Sequence, residues 1–351
     1  MEVIITPLKG ASPYIVPLRM PPVFGSQVIG GYSQATIVQG RVPSAIASQL
    51  LYGDAVIYGR RGPCWRGVVE SSERDGTMHC VGPQQVLGWT PCARAGGTGA
   101  TIADHLTVTA FISTGTIPTW LMPNVASSWA YWGTNPTILN TAITPPSDTV
   151  VSYLAACMKY DTWQYGWYFE LIGGVDRCVP HYGPAPTTPD YIVTLSAEDA
   201  KQFSGDSLAQ LANTIPVTWS GGVTTTTDTN LAHYLVGIGR NKLLSISSTN
   251  TASAADASLI AAAKFAEMGN GTKAGRISFG GAGESRIQRA SGLVAYPPSI
   301  RPGALATVNG LRGGSQTLRI TAVECHGDSS GTLELGIDAG RLDAMLARIG
   351  G

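Results

Sequence analysis

Gly53-Asp54-Ala55-Val56-Ile57-Tyr58, then Gly59-Arg60-Arg61-Gly62-Pro63, then Trp65-Arg66-Gly67-Val68-Val69-Glu70, carries the clearest β pattern in the N-terminal half of the sequence. Two runs rich in β-branched and aromatic residues flank a loop of glycine, arginine and proline, the pattern of a hairpin. Arg74-Asp75-Gly76 makes a second tight turn, and Thr77-Met78-His79-Cys80-Val81 follows as a third strand. The spacing predicts a three-stranded meander over 53–81.

Similar punctuation recurs near the other end. Ile300-Arg301-Pro302-Gly303 reads as a turn, and Ala304–Val308, Thr317–Val323 and Thr332–Ile337 read as short strands. Gly303 stands where Gly53 does, and the Gly310–Gly314 loop stands where Gly59–Gly62 does. Leu318-Arg319-Ile320 answers Trp65-Arg66-Gly67, and Gly331-Thr332 answers Gly76-Thr77. Any two meanders share some of this punctuation, so chance and a duplicated small β-barrel both stand at this point. After Asp338, residues Leu342, Met345, Leu346 and Ile349 recur at helical spacing and predict a closing amphipathic helix.

Between these ends the chain alternates in character. Val3-Ile4-Ile5, Tyr14-Ile15-Val16 and Ala35–Gln39 read as strands, Met20–Phe24 as an extended Pro-rich connection, and Val42–Leu51 as a short helix. Gln84–Thr101 reads as a link. Leu106–Ile112 predicts a strand and Asp148–Lys159 a helix, followed by a hairpin of Trp163–Ile172 and Val175–Val179 across Gly173-Gly174. Tyr191–Leu195, Asn213–Trp219, Leu243–Ile246 and Arg276–Phe279 are further strands. Ala197–Phe203 is a short helix or turn, Gly221–Asn230 a polar loop, and Ala252–Met268 a helix stopped at Asn270-Gly271. The expected class is mainly β with α+β insertions. The expected division is 1–105 (N-terminal β-barrel), 106–190 (α+β insertion), 191–283 (second α+β region) and 284–351 (C-terminal β-barrel module with its helix).

A chain of 351 residues can bury a sizeable core. Charged residues make up 13%, about half the usual ~25%, and the formal net charge is zero. A weakly charged surface suits faces covered by neighbours, since interface cores are depleted in Lys, Glu and Asp. A zero balance provides no long-range attraction for nucleic acid or an anionic membrane. No stretch reaches the ~18 apolar residues of a membrane span, and the N-terminus carries no basic segment followed by an apolar run. Cys64, Cys80, Cys92, Cys157, Cys178 and Cys325 are widely and irregularly spaced with no CxxC, so free, mostly buried thiols are expected and a zinc site is not.

The sequence holds no P-loop, HExxH, GxGxxG after a strand, or GxSxG. Gly327-Asp328-Ser329-Ser330-Gly331 resembles the segment around a trypsin-like nucleophile, and Met78-His79-Cys80 faintly resembles that family's histidine segment. Ser330 replaces the usual glycine, however, and a polar turn between strands explains the fragment without chemistry. His105, His181 and His233 are scattered and read as surface or core residues. The aromatics from Trp120 to Trp132 could form a sugar platform, or serve as core and interface residues of a β-rich protein. Arg60-Arg61 reads as a solvated hairpin tip or an interface anchor. No catalytic, cofactor or metal residue is expected.

One resemblance covers most of the chain in order. Gly53-Asp54, Tyr58, Trp65-Arg66-Gly67-Val68, Trp163, Trp167-Tyr168, Pro184-Ala185-Pro186, Ile287, Ser291-Gly292-Leu293, Ile300-Arg301-Pro302-Gly303, and Leu335 with Arg341-Leu342-Asp343-Ala344-Met345-Leu346-Ala347-Arg348 carry it. Together they resemble the minor tail proteins that form the central hub of long-tailed phages, especially those of actinobacteria. The resemblance implies two small β-barrels per chain separated by α+β insertions. It also implies a homotrimer at the virion tail tip, made in the host cytoplasm. Its neighbours would be the distal tail protein, tail tube proteins, tape-measure protein and other minor tail proteins, with DNA passing through the lumen unbound. Two rival expectations are a tail-associated serine hydrolase using Ser329 and His79, and a carbohydrate-binding tip protein.

Overall fold

The computed structural model describes residues 1–8, 12–90, 163–184, 188–203, 214–227, 243–247, 275–311 and 314–336, together with 121, 130–131, 149, 151, 186 and most of 253–262. Its elements begin with β1 (Glu2–Thr6), β2 (Tyr14–Val16), β3 (Val23–Gln27), β4 (Ile29–Val38), α1 (Ser44–Leu50), β5 (Asp54–Gly59), β6 (Gly62–Ser72), β7 (Thr77–Val81) and α2 (Pro83–Gly88). The middle supplies β8 (Ala130–Tyr131), β9 (Trp163–Ile172) and β10 (Val175–Pro184). Then come β11 (Pro189–Thr194), α3 (Ala197–Gln202), β12 (Thr214–Trp219), β13 (Gly222–Thr227) and β14 (Ile246–Ser247). The end supplies β15 (Gly275–Phe279), β16 (Arg286–Arg289), a 3-10 turn at Pro297–Ser299, β17 (Leu305–Asn309), β18 (Gln316–His326) and β19 (Ser330–Gly336). The fold is mainly β, as expected.

The predicted meander forms. β5 and β6 turn through two residues, Arg60 and Arg61, with Gly59 paired to Gly62, and β7 returns along β6. Pairing continues from β7 to β4 on one side, and from β5 through β1 to β2 on the other, all antiparallel. No ladder joins β2 to β4. An isolated antiparallel bridge, Leu18 to Gln39, spans that gap, and the Arg19 amide donates to the Val38 carbonyl at 2.9 Å beside it.

A second run of six strands repeats the plan. β17, β18, β19 and β15 follow one another antiparallel, while β11 lies parallel to β17 and antiparallel to β16. The last gap, β15 to β16, is spanned by a single parallel bridge, Phe279 to Ser285. Continuous ladders therefore leave both runs open, and each end-to-end join is one bridge wide.

The two meanders agree in register. Val68 pairs with Val81 as Arg319 pairs with Gly336, and each long strand then bulges, between Val69 and Ser71 in one and between Ile320 and Ala322 in the other. Met78 faces Ile37 as Leu333 faces Ile277. The bridging residues Gln39 and Phe279 fall at the same register position. Thr77 and Thr332 correspond, as their Gly-Thr turns suggest. Arg66 and Arg319 do not: Arg319 takes the place of Val68, two residues further along.

β3 joins the two runs. It pairs antiparallel with β4 on one edge and with β18 on the other, so the strands merge into one 16-stranded sheet. The sequence reading of Met20–Phe24 as connection alone is corrected here: Val23 and Phe24 already belong to this seam strand. The β9–β10 hairpin turns at Gly173-Gly174, whose φ values of 60° and 80° suit the two-residue turn that matches strand twist. It attaches through a short parallel ladder to Ile29–Gly31 of β4. Gly31 is required there, because a Cβ would stand 2.4 Å from the Trp167 amide nitrogen.

Apolar residues of both runs share one cluster, including Ile5, Ile37, Trp65, Trp167, Ile320 and Leu333. A separate three-stranded sheet, β13-β12-β14, packs Ile215 and Val217 against helical residues Ala257, Ile260 and Ala261. β13 corrects the reading of Gly221–Asn230 as a loop, since Thr224–Thr227 form a strand, and α2 occupies the start of the expected link at Gln84. The predicted strand 106–112, nearly all of the helix 148–159, and the closing helix after Asp338 lie outside the described residues.

A candidate assembly site at the junction of the two runs

The Arg60-Arg61 tip is exposed, and it also packs against the second run. β5 and β6 carry it onto the second run, where the Arg60 amide donates to Asp328 Oδ2 at 3.3 Å and its guanidinium pairs with the same carboxylate at 3.3 Å. Arg60 and Arg61 both sit over the Tyr296 ring, at 5.7 and 4.9 Å from its centroid. Asp328 belongs to the turn between β18 and β19. The fragment that resembles a protease segment thus supplies a counter-ion across 268 residues of sequence.

A second polar contact ties in the central hairpin. Arg301, in the turn before β17, donates to Glu170 Oε1 at 2.6 Å and lies 5.4 Å from the Tyr168 ring centroid. His181 on β10 is 1% exposed and stands 3.5 Å from the same carboxylate oxygen. Burial, with the neighbouring Arg301 charge, lowers its pKa to about 4, against an opposing pull from Glu170. Burial pushes the Tyr168 hydroxyl well up. Tyr32 on β4 completes the packing, edge-on to Tyr168 at 5.4 Å and accepting the Phe169 amide at 3.2 Å.

The bridge across the last gap of the second run has its own support. Ser196 caps α3 by accepting the Asp199 amide at 3.1 Å. Both Ser196 and Ser285 donate to Asp199 Oδ2, at 2.9 and 2.6 Å. Asp199 and Ser285 are buried, so a carboxylate inside the protein holds the strand next to the bridge.

The serine-hydrolase pair is not brought together by a hydrogen bond. His79 Nε2 instead contacts Glu73 Oε1 at 2.8 Å on the surface, and Ser329 is exposed in its turn. Cys64, Cys80, Cys178 and Cys325 are free and buried, and burial pushes the thiols of Cys64, Cys80 and Cys178 up to about 12. Cys92, Cys157 and the tryptophans of the Trp120–Trp132 cluster lie outside the described residues. Among the described residues no group of three His, Cys, Asp or Glu side chains could hold a metal, and no helix is long and apolar enough to cross a membrane. Sequence reasoning missed Tyr296, Glu170 and Asp199. Only the last had a legible signal, the Ser196-x-x-Asp199 spacing of a helix cap.

No family model and no curated protein matches the sequence. Solved structures do. The 43 kDa tail protein of prophage MuSo2 from Shewanella oneidensis is similar at a TM-score of 0.62 and 12% identity, over 98% of this chain and 99% of that one. The tail protein from Neisseria meningitidis MC58 gives 0.56 and 12%, over 98% of both chains. Prophage tail protein gp18 from Listeria monocytogenes EGD-e gives 0.51 and 12%, over 99% of both. At such identity the likeness is one of fold, and it runs the length of the chain: this protein has the fold of prophage tail proteins.

Proposed function

We propose that this chain is a structural virion protein, a subunit of a homotrimeric hub at the tail tip that joins the tail tube to the host-facing tip and gates genome ejection. The observation that carries the reading is the end-to-end fold match to prophage tail proteins, with almost nothing left over on either side. The matched register of the two six-stranded runs supports the trimer in particular. Three copies with two similar units each present six, the number needed to meet a sixfold tube. On this reading each run works as a small barrel, and the domains are 1–105, 106–190, 191–283 and 284–351, with β11 and β15, which precede residue 284, completing the C-terminal run. The neighbours are the distal tail protein, tail tube proteins, tape-measure protein and other minor tail proteins. A formal net charge of zero agrees with a lumen that lets DNA slide without holding it. Kinship with the actinobacteriophage type of minor tail protein is proposed on the sequence resemblance alone.

Native mass spectrometry of the chain, alone and mixed with the distal tail protein, tests the reading. The expected species is three times the 36.6 kDa chain mass. A monomer in both samples, together with no labelling of virion tail tips by an antibody to this chain, overturns it.

A further inference from the structure

Two cavities, of about 600 and 500 Å³, share Arg61 and Tyr296 in their walls. The smaller one is floored by buried apolar residues, among them Phe279, Ile287, Ala295 and Pro297. Its rim carries Arg60, Arg61 and Arg286, and Val294 stands 77% exposed beside them. The larger cavity adds Arg289 and Arg301, with one exposed carboxylate, Asp190, on its wall. Asp328 answers Arg60 and Glu170 answers Arg301. Among the described residues neither Arg61 nor Arg286 has a carboxylate partner, and both are exposed. A protein with zero net charge thus gathers five arginines around an apolar floor, three of them (Arg61, Arg286 and Arg289) without a carboxylate partner among the described residues.

We propose that this groove binds an extended acidic segment of another protein, with carboxylates on Arg61 and Arg286 and apolar side chains over Phe279 and Ile287. Arginine rather than lysine at each of these rim positions suits planar, two-pronged carboxylate recognition. An apolar floor between the charges matches alternate side chains of an extended peptide and offers nothing to a phosphodiester backbone. A second copy of this chain is a poor source of the segment: its alternating run Leu333-Glu334-Leu335 lies in β19, paired on both edges to β15 and β18. The assignment stands on the groove and holds whether or not the chain is a hub.

Fluorescence anisotropy with the full chain tests it. The probes are a fluorescein-labelled octapeptide alternating glutamate with leucine, its lysine-for-glutamate counterpart, and a labelled single-stranded DNA decamer. The acidic peptide should bind, more weakly as salt rises, and Arg61→Ala and Arg286→Ala should each weaken it roughly fivefold or more. Arg74→Ala removes the same charge at the opposite end of the 11-residue β6, roughly 30 Å away, and should leave binding unchanged. Because all three arginines are exposed, unchanged thermal melting should show that each variant is folded. No binding of the acidic peptide, equal binding of the lysine peptide, tighter binding of the DNA, or an equal loss in Arg74→Ala overturns the proposal.

Discussion

In the N-terminal run every neighbouring strand is antiparallel, and the last gap is spanned by main-chain contacts between Pro17–Arg19 and Val38–Gly40. In the C-terminal run β11 lies parallel to β17, and the last gap is spanned next to a buried carboxylate with two serine hydroxyls on it. The shared part is local, a meander whose register follows from turns and bulges a few residues apart. The differing part is the strand that must come from elsewhere: β1 arrives from the start of the chain, and β11 from beyond a long insertion. Local sequence fixes the meander, while the last gap is bridged differently each time.

The largest effect expected from this difference lies at a register pair where the runs are filled differently. Trp65 is fully buried in β6, whereas the corresponding position of β18 is Gln316, whose amide oxygen has no partner among the described residues. Trp65→Ala should destabilise by ~3–5 kcal/mol in urea unfolding, through lost transfer energy and the cavity left behind. Gln316→Ala should cost less than ~1 kcal/mol, because it removes an oxygen that burial already penalises. Equal losses would mean that the two cores are filled alike.

Next in size is a pH dependence carried by the hairpin between the runs. Its ladder to β4 is main-chain, but its tie to the second run is the Arg301–Glu170 pair beside His181. Unfolded, His181 has its ordinary pKa of 6.5; folded, it titrates at about 4. Between these values the unfolded chain holds a proton that the folded chain refuses. Stability therefore falls as pH drops from about 6.5 toward about 4, by up to ~3 kcal/mol. His181→Gln should flatten that slope in chemical unfolding measured at several pH values, and an unchanged slope would assign it to other groups.

The two bridged gaps can be compared directly. Asp199→Ala strands two hydroxyls, those of Ser196 and Ser285, and should cost ~1–3 kcal/mol. Gln39 sits at the bridge of the first run, 7% exposed, with its amide oxygen lacking a partner among the described residues. Gln39→Met keeps the main-chain bond to the Gly76 carbonyl and should be close to neutral by the same assay. A costly Gln39→Met would show that side chains support both bridges.

The meander was legible because its signals lie close together: Gly59 to Gly62 specifies one turn, Asp75-Gly76 the next, and Gly331-Thr332 marks the matching point of the second copy. The Arg66–Arg319 match misled by two residues, since a shared residue type says nothing about the bulges and turn lengths that set register. The start of β3 was read as connection because a few residues after two prolines carry little periodicity, and its second partner, β18, lies near the other end of the chain. β13 was hidden by its threonines, which suit an exposed hairpin strand as well as a loop. The junction residues were illegible for a further reason. Tyr296 and Asp328 acquire their roles only when a tip more than 200 residues earlier lands on them, and no local pattern encodes that.

The smallest effect should come from the contact that looks most like a latch. Arg60 and Asp328 are paired at 3.3 Å with side chains 63% and 22% exposed. In that setting Coulomb attraction is screened and a long side chain must be held still, so a double-mutant cycle of Arg60→Ala and Asp328→Ala should return ~0.2–1 kcal/mol, shrinking with salt. The arginines over Tyr296 add ~0.5–1 kcal/mol at an exposed site. β3, by contrast, is paired through its main chain to β4 and β18 and merges the runs into one sheet. If the seam holds the runs together, breaking the latch leaves a single unfolding transition with nearly unchanged midpoint. A coupling above ~2 kcal/mol, or two separated transitions in Asp328→Ala, would reverse that ranking and make the hairpin tips, not the shared strand, the main tie between the two halves.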